Sequence, residues 1–372
     1  MTRASKIVLW LVLAAIALFV ASAVAFRLFF DPNDFREKIE TAVYESTGRE
    51  LKIEGDVGLQ LFPWLAVEVG RTRLGNAPDF GEGVFAEFES AQLSVRALPL
   101  LFGRELSIGT VALDGFKLDL RVDERGRRNW SDLLGGEAPA EETPPPPPGT
   151  PGRASLEVSG VDISNASITY VHAPKGDRYA FTDANLKIGR INESGEAIPV
   201  EGGLTFDVQP VGYSGTIELA TSVSFDTASG AVSLGNSSLE ATVAGIAEAP
   251  TRLAFGTQGI DVDTVSKTAT VGAVELSVLG IDMRAEVQPF SYADAIQPQA
   301  TIRIDAFSPR SVMQQLGVEP PATADPAALT RVILDAKATM GDDLVRLTDL
   351  NIKLDDTSFS GSMTVPFDSA GR

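Results

Sequence analysis

Residues 51–70 read LKIEGDVGLQLFPWLAVEVG, and their side chains alternate between apolar and polar over most of that length. The apolar side chains of its first half all occupy odd positions, at Leu51, Ile53, Val57, Leu59 and Leu61. A period of two is typical of a β-strand with one apolar and one polar face. Pro63 interrupts the pattern, because proline cannot donate to a β-ladder. We therefore predict a hairpin of residues 51–61 and 65–74.

The same alternation returns along the rest of the chain, from residue 93 to 122 and again from residue 156 onwards. Turns rich in Gly, Asn, Asp and Pro separate the runs at intervals of about 8–15 residues, which is typical of an all-β chain. At Asp114-Gly115 the apolar phase slips by one residue. A slip would move the apolar side chains to the opposite face unless a turn or bulge intervenes, and Asp-Gly favours one.

Short helices and one linker interrupt this pattern. Asp31-Pro32 favours a helix start, Gly48 favours its stop, and Phe35, Ile39 and Val43 share one face of the helix between them. This helix is either a spacer or a cap over one end of a sheet. Two further helix starts are predicted at Ser308-Pro309, running to Leu316, and at Asp325-Pro326. Residues 135–152 contain five consecutive prolines, and we interpret them as an extended linker.

The N-terminal residues 7–26 form a run of 20 residues without charge, Pro or Gly. As a helix this run would be about 30 Å long, the thickness of the bilayer hydrocarbon. Arg3 and Lys6 precede it, which favours a signal anchor with a cytoplasmic N-terminus. The alternative is a signal peptide cleaved after Ala21-Ser22-Ala23. Both interpretations place the rest of the chain across the membrane, and we expect the anchor because apolar residues continue past the cleavage site.

Composition excludes several classes of function. The 372 residues carry a net charge of −19, which argues against nucleic-acid binding and against docking by charge on anionic lipid headgroups. There is no Cys, so thiol nucleophiles, disulfides and Cys-based metal sites are excluded. The single His, His172, lies in a turn-like sequence and is predicted to be a surface loop residue. The chain has no G-x-S-x-G, P-loop or H-E-x-x-H motif, so we expect no enzyme, no cofactor and no metal.

An antiparallel sheet with one apolar face must bury that face. The pattern alone favours a sheet that packs on itself as a sandwich or closed barrel, because an empty apolar groove promotes aggregation. The alternative is a sheet that curls into an open groove occupied by apolar molecules.

The chain resembles the AsmA family of bacterial envelope proteins. The resemblance lies in the N-terminal anchor with its following helix and in several short segments, namely residues 47–55, 61–65, 74–78, 98–101, 126–130, 166–170 and 320–326. It implies an inner-membrane protein with its β-rich body in the periplasm. It also implies a similarity to chorein-type, bridge-like lipid-transfer proteins, whose stacked sheets form a groove for acyl chains. Members of the family usually continue well past this length, so we expect a fragment or a short member that works with another chain.

These observations give one expected architecture. The chain is mainly β, with an N-terminal transmembrane helix and then an elongated, curled antiparallel sheet of repeated β units, groove-like in shape, with a few short helices. The expected division is a cytoplasmic tail (1–6), a transmembrane anchor (7–30), a membrane-proximal helix with a β module (31–134), the Pro-rich linker (135–152) and a second β-rich segment (153–372).

The function that the resemblance implies is outer-membrane biogenesis, with phospholipid carried along the groove toward the outer membrane. The alternative is a tethered periplasmic scaffold that affects outer-membrane protein assembly through other envelope proteins. The side chains expected to line the groove are Leu51, Ile53, Val57, Leu59, Leu61, Val67, Leu93, Val95, Val111, Leu113, Leu118, Leu120, Ile163, Ile168, Leu186 and Ile188. Those expected at the membrane interface, where aromatic residues gather, are Phe29, Phe30, Phe62 and Trp64. The rings of Phe62 and Trp64 could instead cover the end of a sheet.

Overall fold

The computed structural model describes residues 31–60, 64–96, 107–133, 157–192, 194–293, 296–341 and 344–366. Over these ranges the chain is mainly β and forms one large, curled, open antiparallel sheet with few helices. None of the helices in these ranges has the length and apolar character needed to cross a membrane. The predicted anchor at residues 7–30 lies outside the described residues, so it stays a prediction.

The strands that precede the linker confirm the predicted hairpin. They are β1 (Leu51–Ile53), β2 (Val57–Gln60), β3 (Trp64–Val69), β4 (Thr72–Gly75), β5 (Val84–Phe88), β6 (Ser90–Arg96), β7 (Ser107–Asp114) and β8 (Lys117–Val122). β1 pairs with β4 and β2 pairs with β3, both antiparallel, so the two arms of the hairpin are long strands that are each interrupted once.

The strands that follow the linker continue the same sheet. They are β9 (Glu157–His172), β10 (Asp177–Ile188), β11 (Ile198–Gln209), β12 (Tyr213–Asp226), β13 (Ala231–Leu234), β14 (Ser237–Ala244), β15 (Thr251–Thr257), β16 (Ile260–Asp263), β17 (Thr268–Val271), β18 (Val274–Val278), β19 (Ile281–Val287), β20 (Phe290–Ser291), β21 (Gln299–Phe307), β22 (Val332–Met340), β23 (Leu344–Leu354) and β24 (Thr357–Pro366). β9 pairs antiparallel with β10, and each later strand pairs antiparallel with its neighbours in a meander that ends at β24.

The sheet runs without a break across the predicted linker. β7 and β8 pair with β9 in parallel, with Ser107 opposite Glu157 and Val122 opposite His172. The chain therefore leaves β8 at one end of the strand and enters β9 at the other. The connection between β8 and β9 contains the predicted linker at residues 135–152, which lies outside the described residues. The β segments before and after it belong to one sheet.

Three lines of irregularity cross the sheet and bend it, and the one nearest the last strand passes through register shifts in β21, β22 and β23. The first passes through the breaks between β1 and β2, β3 and β4, β5 and β6, and β7 and β8, and then through bulges at Asn165 in β9 and Asp183 in β10. The second passes through the breaks that separate β13 from β14, β15 from β16, β17 from β18, and β19 from β20. Bulges bend strands and increase their twist, so these lines account for the curl. The phase slip predicted at Asp114-Gly115 is confirmed as one point of the first line.

A helix covers the first edge of the sheet. The carboxylate of Asp31 accepts a hydrogen bond from the Asn33 N–H (2.9 Å), a 3₁₀ turn spans Pro32–Phe35, and α1 spans Arg36–Thr47. Gly48 ends α1 in the left-handed conformation (φ 71°), as predicted. Side chains of this segment bind the outer edge of β1 and β2, so the interpretation as a cap is confirmed.

The edge contacts of α1 and of the 3₁₀ turn before it are polar. Glu40 Oε1 accepts a hydrogen bond from the Ile53 N–H (2.8 Å), and Asn33 Oδ1 accepts one from the Val57 N–H (2.9 Å). Phe35 and Ile39 remain 43% and 44% exposed. The predicted apolar stripe of α1 is thus largely exposed, and its polar side chains satisfy backbone donors of the edge strand.

Two later helices were predicted, and the structure confirms the first prediction and contradicts the second. α2 spans Pro309–Gln315, and the Ser308 side chain accepts a hydrogen bond from the Ser311 N–H. The chain after Asp325 forms turns instead of a helix. Leu329 there has a positive φ of 61°, and the N–H groups of residues 329–331 bind the carboxylate of Asp355. This distant carboxylate holds the donors in a turn, which local propensity does not reveal.

Replacing Gly55 should disturb the first bend. A Cβ atom at Gly55 would collide with the Arg71 backbone nitrogen and the Gly70 Cα, where the two arms of the first hairpin approach closely. Gly58 lies in the same hairpin, and a Cβ there would meet only ordinary contacts, the nearest at 3.7 Å. We expect Gly55→Ala to lower stability by about 1–3 kcal/mol, the usual range for overpacking, and Gly58→Ala to cost much less. Thermal unfolding of both variants measures this, and equal midpoints would contradict the close approach.

Candidate functional site: an uncovered apolar face

One face of the sheet carries apolar side chains from the first strand to the last, and we call it the apolar face. The pairing registers show that this face continues from strand to strand, because directly paired residues of neighbouring strands lie on the same face. In one such row Leu118 pairs with Ile168, Ile168 with Phe181, and Phe181 with Phe206. Further rows continue it through β19–β24, where the paired residues include Met283 and Ile304, Ile304 and Leu334, Leu334 and Ile352, and Ile352 and Phe359.

The structure places the predicted groove residues together. Leu61 lies outside the described residues. The registers place all the others on the apolar face, including those on opposite sides of the first bend, such as Leu113, which pairs with Ile163, and Leu118, which pairs with Ile168. The bulges make this possible, since each adds the one residue by which the alternation slips.

The apolar face has no covering layer among the described residues. Contacts between elements there run mainly between neighbouring strands and along α1 at the first edge. Val67, Leu93, Leu219 and Phe255 keep 42%, 48%, 37% and 40% of their surface exposed. The self-packed sandwich or barrel that the pattern alone favours is therefore wrong, and the sheet is open.

The opposite face is polar. Ion pairs join neighbouring strands on it, between Arg284 and Glu275 (3.0 Å), Arg303 and Asp335 (2.7 Å), and Lys337 and Asp349 (2.8 Å). All six side chains are well exposed, so solvent screens these pairs and each contributes little to the stability of the sheet. This polar face is suited to contact with water. An apolar ligand would therefore bind to the apolar face.

Aromatic side chains gather at one border of the apolar face. Tyr170 lies with its ring centroid 5.9 Å from Tyr179, 6.2 Å from Trp130 and 6.3 Å from His172. His172 is the last residue of β9, half-buried, and pairs with Asp177. The prediction of a surface loop residue is wrong, because β9 extends further than the turn-like sequence after His172 indicates.

A buried polar cluster lies near the first edge, where α1 ends. The Arg49 side chain is fully buried, and its guanidinium binds the Asp132 carboxylate through Nε (2.7 Å) and Nη2 (2.5 Å) and donates to the Asn129 carbonyl. It also stacks over the Phe85 ring, 4.4 Å from its centroid. The hydrogen bond from Arg49 holds the pKa of the Asp132 carboxyl below its ordinary value.

Asn129 completes this cluster. Its side chain is buried, donates to the Asn76 Oδ1 (3.0 Å) and the Asp119 carbonyl (2.9 Å), and accepts from the Arg121 N–H (2.8 Å). The cluster joins the segment after β8 to β4, β5 and the end of α1. It therefore fixes the helix that covers the first edge, and sequence reasoning missed it because its members are far apart in the chain.

The remaining predicted residues are placed as follows. Phe29, Phe30 and Phe62 lie outside the described residues, and Trp64 opens β3 opposite Arg96. In the described ranges no group of three His, Asp or Glu side chains could hold a metal ion. The predicted groove residues end at Ile188, although the apolar face continues through β24. The alternation of β11–β24 was visible in the sequence and would have extended the list.

Comparison with known proteins gives one match. A family model described as the AsmA family matches residues 1–370, essentially the whole chain. No curated protein and no solved structure matches the chain.

Proposed function

The chain belongs to the AsmA family, and from this premise we propose that it is an inner-membrane-anchored periplasmic protein that carries phospholipid along the apolar face toward the outer membrane. Membership of the family fits a part in envelope and outer-membrane biogenesis at a general level. The transport of lipid, the membrane anchor and the periplasmic location are our proposals.

The single observation that carries the proposal is the uncovered apolar face. The 24 strands of the described residues make about sixteen rows, since many are halves of interrupted strands. At about 4.8 Å per row the face extends for roughly 75 Å along the direction of stacking. That distance is several times the length of an acyl chain, so the face offers a path rather than a single binding pocket.

Acyl chains suit this face chemically. Burial contributes about 0.8 kcal/mol per CH₂ group, so contact along a few rows can hold a lipid tail without specific polar contacts. Neighbouring rows offer similar apolar side chains, so a tail can move from one row to the next at little cost. A water-exposed apolar face of this size would otherwise promote aggregation, which a bound lipid prevents.

The position of the first edge supports a direction of transport. The chain enters the sheet through the helix at the first edge, directly after the apolar run at residues 7–26. If that run is the anchor, the first edge is held at the inner membrane and the apolar face leads away from it. Lipid would enter at β1 and β2 and move toward β24.

The alternative function is a tethered scaffold that carries no lipid. A scaffold would be expected to seal its apolar side chains inside a compact body. The open face of this sheet therefore favours the conduit.

Native mass spectrometry of the full chain, purified in detergent, tests the proposal. We expect phospholipid to remain bound after exchange into a detergent of different headgroup. If the chain is purified from cells whose membranes contain phospholipid and no phospholipid is bound to it, the result contradicts the conduit and favours the scaffold.

A further inference from the structure

The apolar face changes its chemistry toward one end of β8, β9 and β10. Its outermost row there, which we call the rim row, contains Arg128, Val122, His172 and Asp177. Val122 bridges to Arg128 on one side and pairs with His172 on the other. His172 in turn pairs with Asp177. Because directly paired residues lie on one face, a cation and a carboxylate stand at the border of the apolar face.

The next row inward is amphipathic, and we call it the tyrosine row. Its members, each paired with the one before, are Leu120, Tyr170, Tyr179, Val208 and Tyr213. Three of the five tyrosines of the chain therefore lie in one row. Their hydroxyl groups have no hydrogen-bond partner among the described residues. Tyrosine is enriched where apolar surroundings meet water, because its ring is apolar and its hydroxyl is polar.

The third row is wholly apolar. It is the row of Leu118, Ile168, Phe181 and Phe206 described above. Along these strands the side chains thus change from charged through amphipathic to apolar within four residues, about 13 Å at about 3.3 Å per residue. A glycerophospholipid has the same order of chemistry, from a charged headgroup through ester linkages to acyl chains.

The described later strands end differently at the same border of the sheet. Their outermost pairs include Val278 with Ile281 and Val332 with Leu354, which are apolar. A charged headgroup therefore finds partners at the rim row that these pairs do not offer. The rim row lies closer to the first edge than to β24, so it would act early on the proposed path.

The two charged side chains of the rim row are available to a ligand. Arg128 is exposed and forms no ion pair among the described residues, and its guanidinium lies 6.0 Å from the Trp130 ring centroid. Asp177 is half-buried, and within the described part of the chain its carboxylate has neither an ion pair nor a hydrogen bond. A carboxylate in such surroundings gains from a cation that a ligand supplies.

We propose that the rim row binds the headgroup of a zwitterionic phospholipid, with Arg128 on the phosphate and Asp177 on the ammonium group. Guanidinium groups suit phosphate oxygens, and ammonium groups donate hydrogen bonds to carboxylates. The tyrosine row then lies beside the ester linkages, and the acyl chains lie on the apolar rows further inward. This proposal rests on the proposed function, because it names the class of phospholipid that the apolar face takes up.

The charges favour a zwitterionic headgroup over an anionic one. A cation beside a carboxylate matches a headgroup whose own charges cancel. An anionic headgroup without an ammonium group offers nothing to Asp177, and the net charge of −19 repels it.

Competition between two lipids tests this proposal. The full chain is exchanged into detergent micelles that contain equal amounts of phosphatidylethanolamine and phosphatidylglycerol with the same acyl chains, and bound lipids are counted by native mass spectrometry. We expect the wild type to favour phosphatidylethanolamine about threefold, a factor typical of exposed charge contacts. Asp177→Asn should remove the preference, and Asp177→Lys should reverse it because two cations then flank the headgroup. Arg128→Glu should increase it, since a second carboxylate repels the anionic lipid more.

Glu240→Lys is the matched control for Asp177→Lys. It makes the same change of charge at an exposed position on the polar face of β14 and should keep the wild-type preference. A wild type that binds both lipids equally, or a preference that Asp177→Lys leaves unchanged or Glu240→Lys shifts as much, would overturn the headgroup site and leave the conduit intact. A chain that binds neither lipid would contradict the proposed function itself, and this proposal with it.

Discussion

The variant Leu219→Asp/Phe255→Asp should copurify with at least about tenfold less phospholipid than the wild-type chain. Leu219 and Phe255 lie on the apolar face in β12 and β15, and both pair with Leu239 between them. Two carboxylates there would lie against the acyl chains without partners, and an unpaired charge in apolar surroundings costs far more than the 1.4 kcal/mol that corresponds to a factor of ten. The amount of lipid per protein is measured by native mass spectrometry and by lipid extraction.

A matched variant separates the effect of the face from the effect of charge. Thr216→Asp/Ser238→Asp adds the same charge to neighbouring strands, at exposed positions on the polar face. It should retain lipid at the wild-type level. Equal loss in both variants would show that added negative charge, rather than the apolar face, governs lipid content, and unchanged lipid in both would place the lipid elsewhere.

Removal of the Arg49 side chain should have the largest effect on stability. Arg49→Ala leaves Asp132 without its ion pair and leaves the Asn129 carbonyl without its donor. Breaking a buried ion pair by removing one partner typically costs about 3–5 kcal/mol. Hydrogen exchange should therefore accelerate by orders of magnitude in residues 126–133 and at the end of α1.

Arg128→Ala is the control for Arg49→Ala. Arg128 belongs to the same segment but is exposed, with its guanidinium 6.0 Å from the Trp130 ring centroid. Its loss should cost no more than about 1 kcal/mol. If hydrogen exchange in residues 126–133 is equally fast in the two variants, the buried polar cluster does not stabilise this segment.

The same cluster should respond to acid. The hydrogen bond from Arg49 lowers the pKa of Asp132 from its ordinary 3.8. The contribution of ionised Asp132 to folding stability is therefore fully present above about pH 3.8 and is lost as the pH falls through the lowered pKa. Protection of residues 126–133, corrected for intrinsic exchange, should be constant between about pH 5 and 7 and should fall in strong acid. The Arg49→Ala chain should lack this acid step.

Much of the fold could be predicted from short-range patterns. Alternation identified the hairpin after Leu51, the phase slip at Gly115 and most later strands, because side chains in a strand alternate between faces whatever the rest of the fold. The start of the first helical segment at Asp31 and its end at Gly48 could also be predicted, because helix capping depends on a few neighbouring residues. The turn after Asp325 was not, because the carboxylate that determines it, Asp355, lies about 25 residues further on.

The resemblance segments acquire a physical meaning in the structure. Three of them, residues 47–55, 74–78 and 126–130, meet through Arg49, Asn76 and Asn129 in the buried polar cluster. Arg49 and Asn129 are 80 positions apart in the chain. No local rule predicts such a contact, so each segment carried little information until the fold brought them together.

By itself the sequence determined that this chain has strands with one apolar and one polar face, and which residues belong to each. That information is local, because the period of two follows from the geometry of a single strand. Whether the apolar face would be covered depended on which elements pack together, and only the tertiary structure decided it. The bends at the bulge lines keep the apolar side chains on one side, the polar cluster and α1 close one edge, and no described layer covers the face between that edge and β24.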